Sequence, residues 1–416
     1  MNSSSERSGL GLFTSLSTMM FVMFFVWGAW YPTMGSFMTE KGLADHINWA
    51  YSVAPIAAII TPFFMGLVAD RLMNAEKLQG ILMILSGICI SIAPSFASPD
   101  TWLLFILLLL AHTICFMPNL GLSNTICLKH LVDADRDYPI VRVFATVGWV
   151  AAGWIISALT ADKTAMQFYV AGSAAIAVGL YSFVLPKTPP PARDKPLRFG
   201  ELYGADTFPY FKHWSFTVFM LASLFACIGM MPYWALGSPF LNAVGIEKTA
   251  RFLTMGQIAE VFVLALVLPM FVKRFGIKWT MILGLTSWAI RFVLFAAAAT
   301  RQDIGGQTML VLAIVLHGFS YDFVFVSGYL YVDRYVREDI RAQAQGLLVV
   351  FTQGIGFFLS SQIFVGEIFP RMIRDSDSAA QWQSYWLVPA IYMAIVLVMF
   401  SLCFRDQNSN NATESG

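Results

Sequence analysis

The chain has 416 residues, of which 57% are hydrophobic and only 12% charged. Soluble domains carry about 25% charged residues, so this composition excludes a soluble globular protein and points to one embedded in a bilayer. The formal net charge of +1 leaves no basic footprint for nucleic acid, and the five cysteines all fall in apolar runs without metal-ligand spacing, so neither a nucleic-acid partner nor a bound metal is expected.

Apolar stretches near the roughly 20-residue spanning length follow one another along the chain. Their cores lie near 13–37, 48–69, 79–98, 102–127, 140–160, 165–185, 214–240, 252–272, 279–299, 308–331, 344–366 and 384–404. Continuous runs of this kind predict helices, because barrel strands would alternate polar and apolar residues. The expected fold class is therefore an all-α integral membrane protein of twelve spans. The first run is too long for a secretory signal and is expected to remain as a spanning helix. It carries Trp27 and Trp30 too deep for an interfacial belt, and either packing or cavity lining fits them.

The turn after the second span reads GLVADRLMNAEK and holds Asp70 and Arg71. The turn before the fifth span runs from Asp135-Arg136 to Arg142 and Gly148. After the sixth span comes a charged, proline-rich stretch beginning PKTPPPARDKP, which reads as a linker. The expected organisation is a first six-helix half over 1–185, a linker over 186–213, and a second six-helix half over 214–416 with a short polar tail. Turns echo across the halves. PMFVKRFGIK after the eighth span matches GLVADRLMNAEK, and Asp333-Arg334 to Arg341 and Gly346 matches Asp135-Arg136 to Arg142 and Gly148. Corresponding turns in the same order on the same side indicate parallel repeats.

With the N-terminus inside, the inner turns hold most of the Lys and Arg, among them Arg71, Arg142, Lys273, Arg334, Arg337 and Arg341. They outnumber the outer set (Lys41, Lys163, Lys248, Arg251, Arg301, Arg371 and Arg374) by more than two to one. This bias predicts both termini in the cytoplasm.

Ionisable residues deep in apolar runs are costly, and they usually face a bundle interior or a water-filled cavity. Glu260 sits mid-way along the eighth span with Gln257 one turn earlier on the same face, and Arg291 lies mid-way along the ninth. His317, Tyr321 and Asp322 lie in the tenth. A carboxylate at such depth either pairs with a cation or holds a proton. Arg291 is expected to pair with Asp322 or Glu260; Asp322 is the favoured partner, which leaves Glu260 to titrate. His317 is equally a titrating group or a hydrogen-bonding pore residue. Trp149, Trp234, Tyr233 and Tyr321 offer rings either for packing or for stacking on a planar solute. Asp70, Arg71, Asp333, Arg334, Arg337 and Arg341 are candidates for an inner gate.

G-x-x-A-D-R at Gly66 to Arg71 resembles the loop signature of the major facilitator superfamily. WGAW at Trp27–Trp30, MPNLGLSNTI at Met117–Ile126, YPIVRVFATVGW at Tyr138–Trp149, GQIAE at Gly256–Glu260, HGFSYDF at His317–Phe323 and RAQAQG at Arg341–Gly346 narrow the resemblance. The chain is similar to the nucleoside:proton symporters, meaning the bacterial nucleoside permeases and their transporter relatives. The resemblance implies a major facilitator fold, proton-coupled import of nucleosides or a related sugar-containing solute, residence in a bacterial inner membrane, and a monomer that needs no cofactor. It places the family's binding Arg and Thr on Arg142 and Thr146, its Gln and Glu on Gln257 and Glu260, and its Asp on Asp322. Where the permeases carry Gln and Asn on the seventh helix this chain has Met231 and Trp234. Their fifth-helix Phe is Trp149, and their tenth-helix Tyr and Phe are His317 and Tyr321.

Proton coupling falls on Glu260 or Asp322. A non-coupled facilitator or a solute sensor on the same fold is the alternative. No G-x-x-x-x-G-K-[ST] is present for ATP, and neither Tyr321-Asp322 nor Gly121-Leu122-Ser123 completes an intramembrane protease motif, so no enzyme is expected.

Overall fold

The computed structural model describes residues 2–69, 71–190, 200 and 204–405. Asp70, residues 191–199 and 201–203 of the linker, and the polar tail lie outside the described residues. Among the described residues, nine helical segments are long and apolar enough to cross a membrane. One of them, Thr249–Ala299, has 51 residues, twice the length of a span. It breaks at Gly276, whose φ of 77° is open to glycine and strained for other residues. Two further apolar helices, Ile47–Phe64 and Met166–Ser182, bring the spans to twelve.

In chain order these are α1 (Asn2–Trp30), α2 (Ile47–Phe64), α3 (Ala75–Ile92), α4 (Trp102–His130), α5 (Ala134–Ala158) and α6 (Met166–Ser182). The seventh span, α7, is Trp214–Ile228 followed by Met231–Ala243. Next come α8 from Thr249 to Gly276 and α9 from Gly276 to Ala299. The tenth, α10, joins Ile304–Val315 to His317–Tyr335. The eleventh, α11, runs from Arg341 to Met372 through two π-helical stretches, and α12 is Ala379–Cys403.

The last helix shows how sequence sets burial. Leu387, Ile391, Ile395, Val398 and Leu402 recur at three- and four-residue spacing and are all exposed. Trp382, Tyr385, Trp386, Met393, Val396 and Phe400 hold the other face and are buried. Apolar residues all round a helix mean that both faces leave water, one into protein and one into lipid.

The chain forms two compact units. The first comprises Met1–Leu197 together with Trp234–Asn242 and Ile246–Thr254; the second comprises Arg198–Tyr233, Ala243–Gly245 and Met255–Gly416. The division at 186–213 expected from sequence leaves Trp234–Asn242 and Ile246–Thr254 outside the first half. Buried hydrogen bonds explain their place in the first unit. Asn242 Nδ2 donates to Ser36 Oγ at 2.6 Å, Ser36 Oγ meets Ser238 Oγ at 2.7 Å, and Ser238 Oγ meets Thr249 Oγ1 at 2.6 Å. Asp162, 4% exposed, accepts from Ser157 Oγ at 3.0 Å and from the Ala250 N–H at 2.7 Å. It thereby caps the first turn of α8, where backbone donors lack intrahelical partners and a negative charge is favoured.

The linker ends are held locally. In the first unit, the Thr188 N–H donates to Glu76 Oε2 at 2.8 Å, and Thr188 Oγ1 lies 2.9 Å from His130 Nε2. In the second, a short 3₁₀ helix over Ala205–Lys212 sets the Tyr210 ring 6.1 Å from that of Tyr335.

Candidate functional site

The polar cluster of the second unit starts from two glycines. A Cβ on Gly318 would stand 2.9 Å from the Glu260 Cα, and one on Gly256 would stand 3.0 Å from the His317 Cβ. Only hydrogen at these positions lets α8 and α10 cross so closely, as small residues do wherever membrane helices meet. The crossing brings Glu260 Oε2 to 3.6 Å from His317 Nε2. The Glu260 side chain keeps 21% of its surface exposed, whereas His317 is 1% exposed.

Arg291 reaches the same cluster from α9 and is fully buried. Its Nη1 donates to His317 Nδ1 at 2.9 Å and to Ser320 Oγ at 3.4 Å. Its guanidinium carbon lies 3.5 Å from the centre of the Tyr233 ring and 5.0 Å from that of Trp288. The Arg291–Asp322 pair expected from sequence is therefore not formed. Helix geometry gives the reason. At about 100° per residue, Ser320 lies about 60° around α10 from His317, whereas Asp322 lies about 140° away. Arg291 meets the His317–Ser320 face, where a histidine nitrogen, a hydroxyl and aromatic faces replace the carboxylate.

Asp322 is 3% exposed. Its Oδ2 has no hydrogen-bond partner among the described residues. Gln257, 6% exposed, stands one turn before Glu260. The Tyr321 ring centre is 5.4 Å from that of His317 and 4.5 Å from that of Phe325. Met231, at the seventh-span position aligned with a permease Gln, begins the second part of α7. Its side chain is wholly buried, and its N–H donates to Ser360 Oγ at 3.0 Å across to α11.

The first unit gathers aromatic rings. Trp27 lies 5.6 Å from Trp149, 5.8 Å from Tyr31 and 5.9 Å from Phe116, all edge to face. Trp234 completes the group at 6.1 Å from both Trp149 and Tyr31. Edge-to-face contacts of this kind hold each ring in a fixed plane. Thr146 is half-buried one turn before Trp149. Arg142 is exposed and sets its guanidinium 4.4 Å from the Phe24 ring centre.

Of the gate candidates, Arg341 Nε lies 3.2 Å from Asp333 Oδ1, and Arg337 Nη2 lies 3.1 Å from Asp339 Oδ2, both within the second unit. Arg334 is exposed, Arg71 is half-buried, and Asp70 is outside the described residues. These pairs are exposed to solvent and stabilise little by themselves.

The reading of the sequence missed Ser320 and Trp288 around Arg291, and Tyr31 and Phe116 around Trp27. A helical signal exists for the first two. Ser320 is three residues after His317, and Trp288 is three before Arg291, so each shares a face with its neighbour.

A family model described as "Nucleoside H+ symporter" matches residues 10–409. The chain belongs to that family. It is 32% identical over 95% of its length to YegT of Escherichia coli K12, with 94% of that protein covered. To the xanthosine permease of the same organism it is 31% identical, with 94% of this chain and 95% of that protein covered. The crystal structure of the nucleoside transporter NupG superposes with a TM-score of 0.85 at 27% identity, covering 95% of this chain and all of the other. The xylose transporter XylE of E. coli, at 13% identity and a TM-score of 0.66, shares the major facilitator fold alone. Family membership makes the chain a multi-pass membrane transporter coupled to protons, and not an enzyme.

Proposed function

We propose that this transporter imports a nucleoside with a proton by alternating access, and that Glu260 carries the proton. The observation that carries the reading is Glu260 itself: a carboxylate well inside a span, partly accessible, beside His317 and one turn from Gln257. A symporter needs a site that loads a proton from one side and releases it to the other. A carboxylate that alternates between paired and solvated surroundings provides one. Gln257 supplies both a donor and an acceptor for a ribose or a base edge. Arg142 and Thr146 are assigned to hydroxyl or carbonyl groups of the solute, and Trp149, Trp234 and Tyr321 to its planar ring. Asp333, Arg341, Arg334 and Arg71 belong to an inner gate in this reading.

The test is a radiolabelled uptake panel in membrane vesicles, comparing nucleosides, nucleobases and sugars with and without an imposed pH gradient. Nucleosides should accumulate, and only with the gradient. Accumulation of free sugars in preference to nucleosides would refute the substrate class. Uptake indifferent to the gradient would refute coupling.

Trp234→Ala should raise the uptake KM for a nucleoside more than for its free sugar, because base–aromatic stacking is worth about 1–3 kcal/mol per base in nucleic-acid proteins. Equal losses for both solutes would leave this ring as packing. In the assigned orientation both termini and the linker face the cytoplasm of a bacterial inner membrane. Reporters fused at Asp206 and at Ser376 should then read inside and outside respectively; an outside signal at Asp206 would contradict it. The working unit in this reading is one chain, and light scattering on the purified protein should give a monomer mass.

A further inference from the structure

We infer that His317 is a positioning residue for Glu260: Arg291 fixes the histidine ring so that its Nε2–H is presented to the Glu260 carboxylate. The inference rests on the reading of Glu260 as the proton site and adds how that site is held. An arginine side chain has five N–H donors and no acceptor. Nη1 of Arg291 lies 2.9 Å from His317 Nδ1, so Nδ1 must be the accepting nitrogen and the hydrogen of the neutral ring sits on Nε2. Nε2 is the nitrogen that faces Glu260 Oε2, at 3.6 Å, a separation that a small side-chain shift closes to a hydrogen bond.

The ring is also flanked by packed neighbours. Tyr233 and Tyr321 flank it, with ring centres 5.3 Å and 5.4 Å away, and Gly256 stands against its Cβ. Arg291 is itself fixed by Ser320 and by the faces of Tyr233 and Trp288. A buried cation is thus connected to the proton site through one oriented imidazole. Ionisable groups around Glu260 among the described residues include Tyr233 on α7, Arg291 on α9, and His317, Tyr321 and Asp322 on α10. Of these, His317 stands in contact with both Glu260 and Arg291. When Glu260 is ionised the Nε2–H is its donor; when it is protonated that donor loses its charged acceptor. The contact therefore reports the protonation of Glu260 to α9 and α10.

The test compares purified wild type, His317→Phe and His317→Gln in proteoliposomes. Phe keeps a flat ring of similar size and removes both ring nitrogens. Gln loses the ring but offers a carbonyl to Arg291 and an amide N–H to Glu260. Hydrogen bonds to charged groups are the strong ones, so Phe should lower gradient-driven accumulation about 10-fold or more, while Gln recovers most of it. A histidine that only packs predicts the reverse order, with Phe active and Gln impaired. That order, or equal loss in both, would overturn the inference.

A second measurement reads Glu260 without any solute. Infrared difference spectra of proton binding should show a carboxyl band that is absent in Glu260→Gln. This band should move in His317→Phe and return in His317→Gln; a band unmoved in His317→Phe would overturn the inference. A wild type that shows the His317-dependent band but no nucleoside uptake would sink the substrate reading and leave this one standing.

Discussion

Glu260→Gln is expected to abolish accumulation of nucleoside against its gradient while preserving exchange of nucleoside across equilibrated membranes. Gln keeps the size and hydrogen-bonding capacity of the side chain and removes its titration. Glu260 lies eleven residues after Thr249, the start of α8, so it is about 16 Å along the helix and well inside the span. Its neighbours can still orient the amide, since His317 presents a donor, and solute binding is preserved to that extent. What is lost is the proton that makes inward movement downhill. Each tenfold of accumulation requires about 1.4 kcal/mol from the gradient, and a carrier without a titrating site draws none of it. Uptake should then rise only until inside and outside are equal. A Glu260→Gln protein that still concentrates nucleoside would move the proton to Asp322, the other carboxylate of the cluster.

The second large effect is a split between stability and transport. Arg291→Met is expected to leave thermal stability unchanged or higher and to reduce gradient-driven uptake at least about 10-fold. Arg291 is fully buried, and its Nε and Nη2 have no hydrogen-bond acceptor among the described residues. Replacing a whole buried ion pair by apolar residues of similar volume is often neutral or stabilising by about 1–4 kcal/mol, and the hydrogen-bond partners of Arg291, His317 and Ser320, are neutral groups that are not stranded as charges. Met also suits the aromatic surroundings of Tyr233 and Trp288, because thioethers pack well against rings. The substitution leaves His317 Nδ1 without its donor, so the ring is no longer held to one tautomer and Glu260 loses its fixed neighbour. Melting curves of the purified variant together with uptake decide the matter. A sharp fall in melting temperature with transport intact would make Arg291 a structural residue and nothing more.

The twelve spans were legible because hydropathy and length act locally: a stretch of about 20 apolar residues has one economical fate in a bilayer. The cluster around Glu260 was legible in part. Gln257 and Glu260 share a face by spacing, and His317 and Tyr321 do the same, so each pair was visible on its own helix. Which helix faces reach each other was not. The partner of Arg291 depends on the rotation of α9 against α10, and a 140° difference between His317 and Asp322 decided it. The close crossing of α8 and α10 at Gly256 and Gly318 carries a sequence signal, a glycine beside each functional residue, but its meaning appears only when both helices are placed. The cap that Asp162 gives to α8 joins residues 88 positions apart, and no local pattern announces it. Met231 stands where the permeases align a polar residue, and it is here a buried apolar side chain.

Coupling itself is read most directly as proton movement. Purified protein is reconstituted into liposomes containing a pH-sensitive dye, with no imposed gradient, and a nucleoside is added outside. The account predicts that the lumen acidifies when nucleoside is added, that it does not when a free sugar is added, and that Glu260→Gln shows no acidification with either. Nucleoside entry into wild-type vesicles with no change in lumenal pH would contradict it.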